Sequence, residues 1–184
     1  MTDIEYFEYL KTISPLGRFY RRFFVYPQIA KNASGKILDI GCGIGGLLAY
    51  SSEIIGVDIN KHCVEYCNRL GLQAFEMSPD ILPFETGSFN TVILDNVLEH
   101  IATTEVLVRE IKRVLVPDGR LIILVPGIKG YSKDDDHKKY YDFTELDTFA
   151  SDNGFLVLAK KSLPFPGLSK IFSGFCYFVV LRNG

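Results

Sequence analysis

The chain has 184 residues, room for one domain of ordinary size, and 47% of them are hydrophobic, enough for a sizeable core and unlike a disordered chain. The formal net charge is −2, so no global basic field is available to hold nucleic acid. The longest apolar candidate, Ile171–Leu181, contains Ser173 and Gly174 and falls well short of the ~20 residues of a membrane helix. The acidic N-terminus lacks an apolar signal core, so a cytoplasmic protein is expected. The cysteines at 42, 63, 67 and 176 form no C-x-x-C pair, and with His62, His100 and His137 they make no recognisable zinc set.

In chain order, Ile4, Phe7 and Leu10 follow helical spacing until Ser14-Pro15-Leu16-Gly17 breaks it. Arg18–Ala30, rich in aromatics and arginines, reads as a second helix stopped or kinked near Pro27. Residues 1–34 are therefore expected to form a helical cap, with the main domain over 35–184. From Lys36 the pattern changes to strand–turn–helix alternation. Strands are expected at Lys36–Ile40, Ile54–Val57, Leu72–Glu76, Asn90–Leu94 and Arg120–Val125. Between them lie a short helix at Leu47–Ser52, a helix over 61–70 capped by Asn60 and closed by Gly71, and a helix over 104–115. Pro117-Asp118-Gly119 reads as a turn, and Pro79, Pro83 and Gly87 argue against a full helix in 77–89. A helix from Thr144 to Ser151, two strands at Phe155–Lys160 and Phe175–Leu181, and a linker Leu163–Gly174 complete the chain. Such alternation implies an α/β fold, a mostly parallel sheet with helices on both faces. Ligands of such sheets sit beyond the carboxyl ends of the strands, where strand order reverses.

The first strand runs into Asp39-Ile40-Gly41-Cys42-Gly43-Ile44-Gly45-Gly46. The glycines satisfy both Gly-x-Gly-x-x-Gly and Gly-x-Gly-x-Gly, so alone they do not distinguish a dinucleotide from another ligand. Asp39 discriminates. Beside a pyrophosphate, a carboxylate at ~4 Å and an effective dielectric of ~20 costs about 4 kcal/mol, roughly a thousandfold in affinity. A cationic ligand reverses the sign. Asp58 ends the second strand and is placed either to accept from ribose hydroxyls or to act as a turn or N-cap aspartate before Asn60.

With Ile37–Gly45, the segments Ile55-Gly56-Val57-Asp58-Ile59, Leu82–Phe89, Val97-Leu98-Glu99-His100 and Glu110–Gly119 stand in order along the chain. In these five motifs the sequence resembles the class I S-adenosylmethionine-dependent methyltransferases over about residues 35–160. The resemblance implies a Rossmann-like three-layer sandwich with a seven-stranded sheet of order 3-2-1-4-5-7-6 and strand 7 antiparallel. It implies S-adenosylmethionine as cofactor, with Asp39, Gly41, Cys42, Gly43 and Gly45 around the methionine part and Asp58 and Ile59 at the ribose. Met77 and Ser78 would border the adenine, and Asp95 and Asn96 the methyl-transfer end. Many relatives carry an aspartate where this chain has Ser78; Ser78 itself or Asp80 is the substitute. Some quinone O-methyltransferases use a Glu-x-x-Glu-His pattern with a divalent metal. Here Asn96 takes the first position, so no metal is expected.

Methyl transfer is an in-line displacement at an activated carbon, so positioning and desolvation carry most of it. A general base for the acceptor is sought among His100, His137, Tyr140 and Tyr141, the last three in the charged run Lys129–Asp142 that should overhang the pocket. That run reads as a solvated loop or as a substrate lid. Tyr6, Tyr9, Phe19 and Tyr20 line either an acceptor pocket or the packing of two helices. The expected partner is a small-molecule methyl acceptor, not nucleic acid or membrane. Two rival readings stand beside an active enzyme. One is a non-catalytic S-adenosylmethionine-binding module; the other, a dinucleotide-dependent oxidoreductase, is disfavoured by Asp39.

Overall fold

The computed structural model describes residues 2–12, 14–79, 81–134, 136–164 and 175–184. Asp80, the alternative adenine contact, and residues 165–174 of the expected linker lie outside them. The chain opens with α1 (Asp3–Lys11), started by a reciprocal cap in which Glu5 N–H donates to Thr2 and Thr2 N–H donates to the Glu5 carboxylate. Helix α2 (Pro15–Tyr20) then passes through a π-turn at Arg21–Val25 directly into α3 (Tyr26–Asn32). The chain does not stop at Pro27, and the irregularity expected near it is a π-turn just before it. Pro27 sits in the first turn of α3, and the adjoining turn is widened so that Tyr26 N–H donates to Arg21 O. A proline inside a regular helix loses one hydrogen bond and clashes with a carbonyl; the wider turn accommodates both.

Seven strands follow: β1 (Ile37–Ile40), β2 (Ile54–Asp58), β3 (Ala74–Glu76), β4 (Phe89–Asp95), β5 (Leu115–Pro126), β6 (Phe155–Leu163) and β7 (Cys176–Asn183). They form one sheet of order β3-β2-β1-β4-β5-β7-β6, parallel through β5, with β7 antiparallel to both β5 and β6. This is the expected order and hand of pairing. One expected turn is not a turn: Pro117-Asp118-Gly119 lies inside β5, where the register against β4 shifts between Phe89 and Thr91. Asp118 takes a positive φ of 59°, and a Cβ at Gly119 would stand 2.8 Å from Val116 O, so the bulge needs glycine there. The Leu47–Ser52 segment is reduced to one 3₁₀ turn, Leu48–Tyr50. The described residues of 77–88 hold no helix.

Strand alternation sorts the core into two layers. Leu38 and Ile40 of β1, Val92 and Leu94 of β4, and Leu121, Ile123 and Val125 of β5 pack with α5 (Glu105–Val114) and α7 (Phe143–Asp152). Ile37, Ile93, Ile122 and Leu124 face the other way, onto Val25, Tyr26 and Ile29 of the N-terminal helices and onto α4 (Lys61–Arg69). Each fully buried Ile, Leu or Val stabilises by about 1.5–3 kcal/mol relative to exposure. Helix α3 is thus part of the core, and α1 packs against α4. Helix α6 (Ile128–Tyr131) begins the segment that overhangs the sheet after β5. No helix among the described residues is long and apolar enough to cross a membrane.

Candidate functional site

The order reverses at β1, which lies between β2 and β4. Register puts Asp58 of β2 and Asp95 of β4 one residue beyond the partners of Ile40, level with Gly41. By alternation Asp39, Asp58 and Asp95 project to the face shared with Ile37 and Ile93, the side of the N-terminal helices. The carboxyl ends of three neighbouring strands therefore carry three carboxylates around one glycine loop.

Gly41, Gly43 and Gly45 have φ of 72°, 52° and 75°, conformations that side chains other than glycine adopt at a cost. The turn is held by Gly41 and Cys42 N–H donating to Val57 O and by Gly43 N–H donating to the Asp58 carboxylate at 2.8 Å. Asp58 also accepts from Asn60 N–H at 2.8 Å, so it joins the loop to the start of α4. Both readings of Asp58 therefore apply to different parts of one carboxylate: it is a turn aspartate whose remaining lone pairs are available to a ligand. The Cys42 side chain packs on Gly56 in the core, so only its backbone belongs to the loop. Gly46, the third glycine of the dinucleotide-like pattern, makes room for the Tyr26 hydroxyl, a packing reason for its lack of a side chain.

Asp39 is 3% exposed, and its Oδ1 has no hydrogen-bond partner. Burial, then the neighbouring Asp95, pushes its carboxyl well above the usual range. Asp95 is shifted upward by burial as well, opposed by an ion pair with Arg21 from the π-turn. Arg21 also donates to the Tyr26 hydroxyl at 3.3 Å. Sequence reasoning missed Arg21, because nothing in the spacing of residues 18–30 tells which arginine a widened turn aims at β4. Asn96 follows in a left-handed conformation (φ 55°), its N–H donating to Leu124 O and its side-chain amide to Asp95 at 3.3 Å. Ile59, after β2, and Ser78, after β3, are exposed, whereas Met77 is buried in the core.

Helix α1 lies over this end. Leu10 comes within 3.3 Å of where a Cβ on Gly43 would stand, and Asn60 donates to Asp3 O at 2.7 Å. Phe7 packs edge-on against Tyr66 and beside His62. Tyr6 is held by burial as the neutral phenol in the field of Asp58, Asp134 and Glu99. Tyr9 and Phe19 are exposed, Phe19 stacking on Phe23.

Past Asn96, Glu99 is fully buried and neither carboxylate oxygen has a partner. Burial, reinforced by Asp95 and Asp134, pushes its carboxyl up to about 8. In the sequence it stands in the incomplete Glu-x-x-Glu-His pattern, with Asn96 at the first position, and is given no catalytic role. The segment after β5 brings His137 to it, Nε2 3.9 Å from Glu99 Oε1. His100 lies beside His137, ring centroids 4.6 Å apart, so two of the four candidate bases are neighbours. Lys138 and Lys139 N–H donate to Glu99 O, tying the overhanging segment to this corner. Tyr141 is instead buried in the core with Leu146 and Phe149. Tyr140 pairs with the Tyr177 hydroxyl at 3.2 Å.

Residues 38–123 match the family described as methyltransferase domain. A solved methyltransferase structure from Aquifex aeolicus, titled as dependent on S-adenosylmethionine, superposes over 100% of both chains with a TM-score of 0.74 at 18% identity. A Thermotoga maritima structure titled as a possible histamine N-methyltransferase superposes over 99% of this chain and 98% of its own, with a TM-score of 0.78 at 17% identity. Residues 38–123 thus match a methyltransferase-domain family, and the whole chain has the fold of these solved methyltransferase structures. A human protein named as a probable tRNA methyltransferase 9B is 37% identical over 94 residues, 48% of this chain and 21% of its own length. The chain thus spans about a fifth of the length of that curated relative.

The methyltransferase family's donor, S-adenosylmethionine, is a cation at its sulfonium and its ammonium. The unpartnered Asp39 Oδ1, buried beside three positive-φ glycines, fits such a group; a pyrophosphate there would meet Asp39, Asp58 and Asp95 together.

Proposed function

We propose that this chain binds S-adenosylmethionine over Gly41–Gly45 and transfers its methyl group to a small-molecule acceptor beneath residues 127–142. The observation that carries this reading is the buried Asp39 carboxylate with an unpartnered oxygen at the switch point of the sheet. Asp39 would accept from the donor's ammonium, and the Arg21 guanidinium is the nearby cation for its carboxylate. Asp58, with lone pairs left after binding Gly43 and Asn60, would accept from the ribose hydroxyls. Ile59 would flank the base, and Ser78 would offer its hydroxyl to the adenine edge. Met77 would support the adenine end from the core, and the Cys42 backbone would contribute to the loop.

When bound, the donor supplies a methyl group already activated on sulfur, displaced in line by the acceptor's nucleophile. The chain's residues then need to orient that nucleophile, exclude water and receive its proton. Asp95 and Asn96 border the methyl end. Glu99, His100 and His137 stand together on the acceptor side, with Tyr141 behind them. Helix α1 over Gly43 excludes water from the donor.

A small acceptor is favoured over RNA by charge. Four buried carboxylates, Asp39, Asp58, Asp95 and Glu99, converge on this end of the sheet. In the overhanging segment Lys138 pairs with Asp136 and Lys139 with Glu145, leaving a mixed surface for a phosphate backbone. The named tRNA relative supports RNA as the second reading. Incubating the protein and a cell extract with tritiated-methyl donor tests both. Label in the small-molecule fraction supports the proposal; label precipitating with RNA and released by ribonuclease overturns the acceptor class.

A further inference from the structure

Two thiols that methyl transfer leaves unused meet behind the donor loop. Cys42 stands in the loop between Gly41 and Gly43, and Cys67 stands on α4. Both side chains are buried in one apolar cluster, and both thiols are free. We propose that Cys42 and Cys67 form a peroxide-oxidisable dithiol whose disulfide draws the loop onto α4 and loosens its hold on the donor. The effect on the donor rests on the proposed S-adenosylmethionine site; formation of the disulfide does not.

The first support is contact. Cys67 Sγ donates to Gly43 O at 3.4 Å, and the Cys42 thiol is its side-chain hydrogen-bond partner. Cys67 also lies against the last glycine of the turn, since a Cβ on Gly45 would stand 2.8 Å from its sulfur. The loop therefore rests on α4 through this one thiol at two points.

The second support is the choice of partner. Cys63 precedes Cys67 by four residues on the same helix. Side chains so spaced have Cβ atoms about 5–6 Å apart, beyond the ~3.5–4.5 Å that a disulfide spans. Cys176 begins β7, next to Pro126 at the end of β5. Cys67 is thus paired by the fold with Cys42.

The third support is the division of labour between the thiols. The hydrogen bond from Cys42 pulls the Cys67 thiol below its usual range, and the same bond, then burial, pushes Cys42 up. Cys67 is the nucleophile and Cys42 the resolving thiol. The Cys67 thiolate attacks one peroxide oxygen and the O–O bond breaks, giving a sulfenic acid and hydroxide. The Cys42 thiol attacks the sulfenic sulfur; the S–S bond forms, the S–O bond breaks, and the Cys42 proton leaves with the departing oxygen as water. The proton first lost by Cys67 neutralises the hydroxide. Two thiols thus give up two electrons and two protons, and one peroxide becomes two waters. Hydrogen peroxide, little larger than water, suits thiols this buried.

The disulfide removes the Cys67 S–H from Gly43 O, the residue whose N–H holds the Asp58 carboxylate. The turn and Asp58 therefore shift together, and donor affinity should fall at least tenfold. By linkage, a saturating donor should favour the dithiol by the same factor.

Peroxide treatment of the full chain, followed by thiol alkylation and peptide mapping without reductant, tests the bond. Calorimetric titration with S-adenosylhomocysteine before and after treatment tests its effect. One linked peptide pair, containing Cys42 and Cys67, should appear, and dithiothreitol should abolish it and restore affinity. Cys63→Ser should behave as the wild type. In Cys67→Ser, with cooperative unfolding as proof of fold, peroxide should leave affinity unchanged. The proposal is overturned if no Cys42–Cys67 link forms, if Cys67 links to Cys63 or Cys176 instead, or if affinity is the same in both redox states. A reduced wild-type chain that binds no S-adenosylhomocysteine would count against the donor site, and mapping would still decide whether the dithiol closes.

Discussion

Arg21 in the π-turn is ion-paired with Asp95 at the end of β4, joining the N-terminal helices to the switch point of the sheet. The pair crosses 74 positions of sequence. It places one cation beside two buried carboxylates, Asp95 and Asp39, the second of which has an unpartnered oxygen.

Removing that cation should be costly. Arg21→Met leaves Asp95 and Asp39 facing each other without a counter-ion. Breaking a fully buried pair costs about 3–5 kcal/mol, and Arg21 is a quarter exposed, so about 2 kcal/mol is expected. Urea denaturation measures it. Because burial already holds both carboxyls above the usual range, protonation relieves the uncompensated charge and the deficit should shrink as pH falls.

The Asp58 carboxylate now has two structural partners besides its proposed ligand. Asp58→Ala strands Gly43 and Asn60 N–H groups in a buried place. Each charge-assisted bond is worth about 1.5–3 kcal/mol, so stability should fall by about 2 kcal/mol or more. Affinity for S-adenosylhomocysteine should fall with it. Calorimetric titration combined with denaturation separates the two, and a fall in stability with unchanged affinity would remove Asp58 from the ribose.

Gly41 is tested by a pair of variants. Its φ is 72°, and a Cβ there would stand 2.6 Å from Val97 Cγ2. Gly41→Ala should cost about 1–2 kcal/mol for the left-handed backbone, plus the clash. Adding Val97→Ala should recover the clash and not the backbone strain. Additive losses in the double mutant, measured by denaturation, would show that the two residues do not meet.

The Glu110–Arg113 pair gives a pH dependence of known sign. Glu110 accepts from Arg113 and from Leu82 N–H, pinning the crossover between β3 and β4 to α5. The Arg113 hydrogen bonds hold its carboxyl down at about 2, below the 4.5 of a free one. A depressed folded value means stability that is present above pH 4.5 and lost as pH falls toward 2. Glu110→Gln should therefore lose about 2 kcal/mol at neutral pH and converge with the wild type near pH 2. A constant difference across that range would contradict the assignment.

What could be read from sequence was local. Strands β1, β2 and β4 are apolar runs ended by Asp or Gly, so their limits were legible within a residue or two, and Asn60 and Gly71 marked the ends of α4. Asp39 was legible as the residue deciding the ligand's charge because it adjoins the glycines. The illegible parts depend on distant partners. The bulge at 116–119 is set by the pairing of its flanks, Leu115 with Phe89 and Arg120 with Thr91, which the turn residues themselves do not reveal. Glu99 is legible only as part of an incomplete Glu-x-x-Glu-His pattern; only the fold of the segment after β5 brings His137 to it, 38 positions later. Arg21 depends on a widened turn that no spacing rule announces.

The central claim is that the loop after β1 takes a cationic methyl donor through Asp39. Isothermal titration of the full chain with S-adenosylhomocysteine and with NAD tests it most directly. The account predicts one S-adenosylhomocysteine per chain, at least tenfold weaker in Asp39→Asn, and no heat with NAD. Binding of NAD alone, or S-adenosylhomocysteine binding indifferent to Asp39, would contradict it.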